Sequence, residues 1–144
     1  MANQNESQTE QIVKQAKTVA VYGMQDEKKS DRPAFLIPQM LQKRGLKLYP
    51  VNPKITASLG EKALASLKEL PPGVDILDVF RRPEDIPQVA EEVLALPPAQ
   101  RPKTVWLQSG ITHPEAEARL EAAGLKVVSD ACLGVFAARL RPLA

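Results

Sequence analysis

The sequence predicts a single α/β domain built on a mainly parallel sheet, and three observations carry that prediction. Short β-branched runs alternate along the chain with longer amphipathic stretches, and turn residues such as Gly23, Asn52-Pro53 and Gly124 punctuate them. The 144 residues suffice for one core and give no sign of a second. Hydrophobic residues make up 44% and charged residues 25%, an ordinary globular mixture. With three Phe, two Tyr and one Trp, that core must be mostly Val, Leu, Ile and Ala.

Taken in order, residues 1–8 are polar and read as a flexible tail, with a single domain over 9–144 that opens on a short helix, Thr9–Ala16. Thr18–Tyr22 is too short and too β-branched for a helix, and Gly23 closes it as a buried strand. After the charged loop Lys28–Arg32, Asp31 can cap a helix with Pro33 in its first turn, where a missing N–H costs nothing. That helix runs to about Arg44, with Gly45 ending it and Pro38 near its first turns. Lys47–Val51 is the second strand, stopped by Asn52-Pro53, and a helical turn follows near Ser66–Leu70. Val74–Phe80 is a third strand, Pro83–Leu96 a helix, Thr104–Leu107 a fourth strand, and Pro114–Ala123 a helix closed by Gly124. Leu125–Val128 and a helix over Leu133–Leu140 complete the chain. Strands alternating with helices imply right-handed crossovers and a sheet covered on both faces. The expectation is a Rossmann-like three-layer domain with five strands and room for a sixth.

Bulk properties exclude more than they assign. The net charge of +2 is too small to argue for nucleic acid, aromatics are few, and no recognition motif is present. Apolar runs reach only five or six residues, far short of a membrane span, and Met1–Glu10 lacks a secretory apolar stretch. A lone Cys132 cannot form an intramolecular disulfide, which fits a reducing compartment. One His and one Cys offer too few soft ligands for a metal site. A cytoplasmic monomer or weak homo-oligomer, acting without nucleic acid or membrane, is the expectation.

In such sheets ligands bind outside the carboxyl ends of the strands. Five loops are thereby nominated, beginning at Gly23, Asn52, Arg81, Gln108 and Ser129. The first three are basic, through Lys28, Lys29 and Arg32, then Lys54, then Arg81-Arg82. A helix N-terminus behind Pro33 adds free N–H groups and a positive dipole end, and together these suit a ligand with several phosphates. A dinucleotide-binding G-x-G-x-x-G is missing, since Gly23 stands alone, and Lys54 follows the second strand where an NAD site wants an acid. No Walker loop is present either. A ligand with an extra ribose phosphate tolerates Lys54 well.

At these residues the chain resembles the small stand-alone CoA-binding proteins, whose fold is similar to the N-terminal domain of the succinyl-CoA synthetase α-subunit. The matching stretches are Val19–Gly23, Ser30–Pro33, Tyr49–Lys54, Leu59-Gly60, Val74–Pro83 and Val105–Gly110, in family order over roughly 11–141. The resemblance implies a coenzyme A cleft lined by Gly23, Met24, Arg32, Val51, Asn52, Pro53, Lys54, Phe80, Arg81, Arg82, Gln108, Ser109 and Gly110. Basic side chains would meet phosphates, Gly23 and the following N–H groups would approach the pyrophosphate, and Phe80 and Val51 would face the adenosine. Competing readings make Asn52 and the prolines turn-formers and Trp106 a core residue.

The last segment departs from the family pattern. Ser129–Leu140 carries Ala, Gly and Phe where the family has polar or bulky residues, which predicts a smaller-walled, more apolar region around Cys132. Lineage drift and redesign of a pocket on this scaffold both account for such a change. Two further functions stay open. Cys132 and His113 lie in the fifth and fourth loops, and if apposed they would form a thiolate–imidazole pair for ester or thioester cleavage. Alternatively, Leu133, Val135, Phe136 and Leu140 would form an apolar interaction patch, unless this helix packs on the sheet.

Overall fold

A computed structural model describes residues 4–144. The chain runs α1 (Glu6–Gln15), β1 (Thr18–Tyr22), α2 (Pro33–Lys43), β2 (Lys47–Val51), β3 (Ala57–Ser58), β4 (Glu61–Lys62), β5 (Ile76–Val79), α3 (Ile86–Leu94), β6 (Thr104–Leu107), α4 (Pro114–Ala122), β7 (Lys126–Val128) and α5 (Leu133–Leu140). Five strands form one parallel sheet in the order β2-β1-β5-β6-β7. The sixth strand that the sequence left room for is absent from this sheet: β3 and β4 pair only with each other, antiparallel. The domain is thus α/β and Rossmann-like, as expected.

Both faces of the sheet are covered because its central strands are apolar on both sides. Val19, Val21, Ile76, Trp106 and Val128 pack against Val13 of α1, Leu41 of α2, and Leu133 and Ala137 of α5. On the other face Ala20, Leu77, Val79, Val105, Leu107 and Val127 meet Ile86 to Val93 of α3, and Ala116 and Leu120 of α4. Trp106 is fully buried, as the core reading required, and its indole Nε1 donates to the Ala131 carbonyl at 2.9 Å.

Two helices differ from expectation in their bounds. Helix α1 begins at Glu6 rather than Thr9, because Asn5 and Gln8 form a reciprocal capping box at 2.8 and 2.9 Å. Residues 5–8 are therefore cap and helix rather than tail, and residues 1–3 lie outside the described residues. The helix expected over Pro83–Leu96 is a tight turn at Pro83–Asp85 followed by α3, with a proline in the first positions of each. Pro38 stays inside α2. Lacking an N–H, it leaves the Ala34 carbonyl one turn back without its helical donor, and the Gln25 N–H takes that place at 3.1 Å. A local helix defect thereby ties the loop after β1 to the start of α2.

Candidate functional site

Strand order reverses between β1 and β5, since the chain steps from β1 outward to β2 and returns on the far side of β1 as β5. Loops leaving these two strands diverge there and leave a crevice. At Gly23 the chain turns with φ of +88°, and a Cβ on it would stand 2.7 Å from the Phe80 carbonyl oxygen. Only glycine lets the two strand ends approach this closely. Its N–H donates to the Val51 carbonyl at 2.9 Å, and the Phe80 N–H to the Tyr22 carbonyl at 2.9 Å.

Above this junction lies an open cleft of about 820 Å³. Its walls are Gln25 and Lys29 from the loop after β1, Arg32 to Ile37 at the start of α2, and Lys54 beyond β2. Phe80, Arg81, Arg82, Pro83 and Asp85 follow β5, Gln108, Ser109 and Ile111 follow β6, and Cys132 stands before α5. The β3–β4 hairpin braces the Lys54 side. Leu59 and Gly60 at its tip have φ of 51° and 79°, the pair of positive values that a tight mirror-image turn requires. Gln42 donates to the Leu59 carbonyl at 2.8 Å, Glu27 accepts from the Leu59 N–H at 3.0 Å, and Ser58 donates to the Gln25 carbonyl at 2.8 Å.

Seven of the thirteen expected residues line this cleft: Arg32, Lys54, Phe80, Arg81, Arg82, Gln108 and Ser109. Val51 and Pro53 instead line an adjoining hollow of about 470 Å³ with Tyr22, Leu67 and Leu96, and Arg81 borders both spaces. The remaining four play other parts. The Met24 side chain is fully buried in the core, a correction to its expected place in the wall. Asn52 is also buried, donating to the Met24 carbonyl and accepting from the Lys54 N–H, both at 2.9 Å. It shapes the turn that presents Lys54, in line with the turn-former reading. Gly23 spends its N–H within the fold, so that group is not free for a pyrophosphate. Gly110 gives its N–H to the Asp130 carboxylate at 2.7 Å, joining the loops after β6 and β7.

Electrostatics within the cleft are strongly one-sided. Lys29, Arg32, Lys54, Arg81 and Arg82 face one acid in the lining, Asp85. That carboxylate accepts from Arg82 and Arg81, each at 3.3 Å, and Arg82 first and then Arg81 hold it below its ordinary range. Arg81 also lies over the Tyr22 ring, 5.5 Å from its centroid. Burial, helped by a 2.7 Å hydrogen bond to Glu92, pushes the Tyr22 phenol up to about 12.

One chemically notable group was missed in the sequence reading. Asp78 lies in the otherwise apolar strand β5 and is fully buried beneath the cleft, between Val21 and Trp106 in the sheet register. Its Oδ1 accepts from Gln108 Nε2, while its Oδ2 has no partner. Burial pushes this carboxyl up to about 7, against the lowering effect of the Gln108 bond. The available signal was an acid inside the apolar run Ile76–Phe80, three residues past the strand-entry acid Asp75. Alternation alone placed it on a buried face without showing which group it would meet.

The fifth strand-end loop differs from its expected form. Gly134 does not open space, because a Cβ there would stand 3.2 Å from Ile37 Cγ2, so its bareness seats α5 tightly on α2. Phe136 packs edge-on against Trp106, with centroids 5.4 Å apart at 78°. Leu133 is buried and Leu140 partly so, and only Val135 is largely exposed, at 60%. The apolar face of 133–140 is thus spent on the sheet, which corrects the interaction-patch reading. Cys132 lines the cleft and His113 does not. His113 Nδ1 accepts from the Ala116 N–H at 3.2 Å, while Glu117 accepts from the His113 N–H at 2.7 Å. This reciprocal cap of α4 occupies Nδ1 of the imidazole, and His113 is not among the residues that line the cleft with Cys132.

A five-stranded parallel sheet with helices on both faces and a polybasic crevice at its switch point defines a Rossmann-like α/β domain, and comparison with known proteins identifies the family: the chain belongs to the CoA binding domain family, matched over residues 17–138. Among its relatives is the uncharacterized protein YneT of Bacillus subtilis (strain 168), 37% identical over 135 residues, covering 94% of this chain and 96% of that one. A cell-free expressed protein, ID.343 from Thermus thermophilus, is 45% identical with a TM-score of 0.84, covering 95% of this chain and 99% of that structure. An acetyl-coenzyme A synthetase from Ca. Korarchaeum cryptofilum shares the fold alone. It is 20% identical at a TM-score of 0.62, over 76% of this chain and 25% of that one.

Proposed function

We propose that this chain binds coenzyme A, free or acylated, in the cleft at the C-terminal ends of β1, β5 and β6. The observation that carries the proposal is the convergence of Lys29, Arg32, Lys54, Arg81 and Arg82 from three separate loops on one crevice in a family of CoA binding domains. Five cations against one acid suit a ligand that bears several phosphates. Lys54, braced by Asn52, suits a phosphate on the ribose, and an incoming phosphate competes with Asp85 for the two arginines. Such exposed ion pairs are weakly held, so exchanging them costs little. The first turn of α2 adds the N–H of Ala34, without a partner among the described residues, at the cleft wall. Cys132 adds a free thiol to the cleft wall.

Calorimetric titration with CoA, dephospho-CoA and NAD tests the proposal. CoA should bind most tightly, dephospho-CoA more weakly through loss of the ribose phosphate, and NAD weakest. Indifference to all three ligands overturns it.

A further inference from the structure

A carboxyl buried without a partner for one oxygen is costly, and Asp78 is such a group. A Val or Leu at this place would extend the apolar face that Val21, Ile76 and Trp106 already form. What Asp78 does have is one hydrogen bond, to a residue that lines the cleft, Gln108.

A carboxamide has two different ends. Gln108 is largely buried, only 6% exposed, and its Nε2 points down to Asp78 Oδ1. Its Oε1 therefore points away from Asp78. Among the described residues no donor reaches that oxygen, nor is it one of the buried orphans, so it stands open at the cleft floor. A carboxyl oxygen beneath the amide admits only the Nε2-down orientation when it accepts.

We propose that Asp78 is a positioning residue that fixes Gln108 with Oε1 toward the cleft, so that the floor between β5 and β6 takes a hydrogen-bond donor, an amide N–H of the ligand. The inference rests on the CoA reading, which supplies such amides in the pantetheine arm. It adds to that reading a rule of selection: the basic rim takes phosphates, whereas the floor takes a neutral donor. A ligand group with only acceptors at this point would face Oε1 lone pair to lone pair and be rejected. Burial pushes the Asp78 carboxyl up to about 7, so it carries only part of a charge beneath a polyanion at neutral pH, and when it is protonated its carbonyl oxygen still accepts from Gln108 Nε2.

A double-mutant cycle read by CoA titration tests it. Asp78→Leu, with the same branched heavy-atom skeleton, removes the acceptor and frees the amide to turn. Gln108→Leu removes the amide itself. Each should weaken CoA about five- to tenfold, the value of one hydrogen bond. The double variant should bind no more weakly than Gln108→Leu alone, since Asp78 acts only through Gln108. A purely structural Asp78 would leave the CoA affinity unmoved, or its effect would multiply with that of Gln108→Leu, and either result overturns the proposal. Should Asp78→Leu fold poorly, Asp78→Val, suited to a strand, gives the same reading. Wild-type protein that ignores CoA overturns the CoA reading and this inference together. Wild-type binding with an unaffected Asp78 variant overturns this inference alone.

Discussion

Replacing Asp78 by Asn should change how the stability of the fold depends on pH, and the size of the change follows from the structure. In the unfolded chain this carboxyl titrates near 3.8, whereas burial in the fold pushes it up to about 7. Between those values the folded chain holds a proton that the unfolded chain has released. Unfolding therefore loses a proton, and stability falls as pH rises through the window, levelling off above 7 when both states are ionised. Integrating the titration from pH 5 to pH 8 gives a loss of about 3 kcal/mol from this one group. Asp78→Asn has no such titration, so its stability should be flatter by that amount, and the variant should overtake the wild type at alkaline pH. Urea unfolding at pH 5, 6, 7 and 8 measures this, with Trp106 as a built-in probe, fully buried and a neighbour of Asp78 in the sheet. Subtracting the variant curve from the wild-type curve removes every other titrating group. Parallel curves would show that Asp78 is already ionised in the fold at pH 5 and refute the burial argument.

Gly23→Ala should destabilise the fold by at least about 2 kcal/mol, because the positive φ and the 2.7 Å approach to the Phe80 carbonyl both penalise a Cβ; an unchanged urea midpoint would contradict this. Arg141 donates to the carbonyls of Val13, Lys14, Ala16 and Arg44 at 2.9 to 3.3 Å, tying α1 and α2 to the end of α5. Arg141→Ala should cost about 2–3 kcal/mol in the same assay, with Arg139→Ala, an exposed ion-pair partner of Glu10, costing under about 1 kcal/mol. For the ligand, Lys54→Ala should weaken CoA about tenfold while leaving dephospho-CoA nearly unchanged, since its role is assigned to the ribose phosphate. Equal losses for both ligands would move Lys54 to a different phosphate.

The five-strand alternation was readable because each strand is a short, mostly apolar run and the turns have their own chemistry, as Gly23, Asn52-Pro53 and Gly124 show. The basic cleft residues were readable for a related reason. In a parallel sheet every strand ends at the same edge, so Arg32, Lys54, Arg81 and Arg82 had to gather there. Met24 was misplaced because its neighbour Gly23 turns the chain, and the direction of the next side chain depends on that turn. The start of α1 was missed because a capping box of Asn and Gln looks like a polar tail until the backbone closes around it.

By itself, then, the sequence determined the class of fold, the edge of the sheet where the basic loops gather and the sign of the charge there. These follow from periodicity and from the common polarity of parallel strands. Tertiary structure decided which residues touch. It put Cys132 but not His113 in the cleft lining, folded the 133–140 face onto the sheet, and put Asp78 under Gln108 at the cleft floor. Those outcomes depend on contacts between segments far apart in the chain, such as the 30-residue span between Asp78 and Gln108. Local pattern carries no information on how such segments register against each other. Packing does, as where Gly134 of α5 seats against Ile37 of α2 while Phe136 meets Trp106 edge-on.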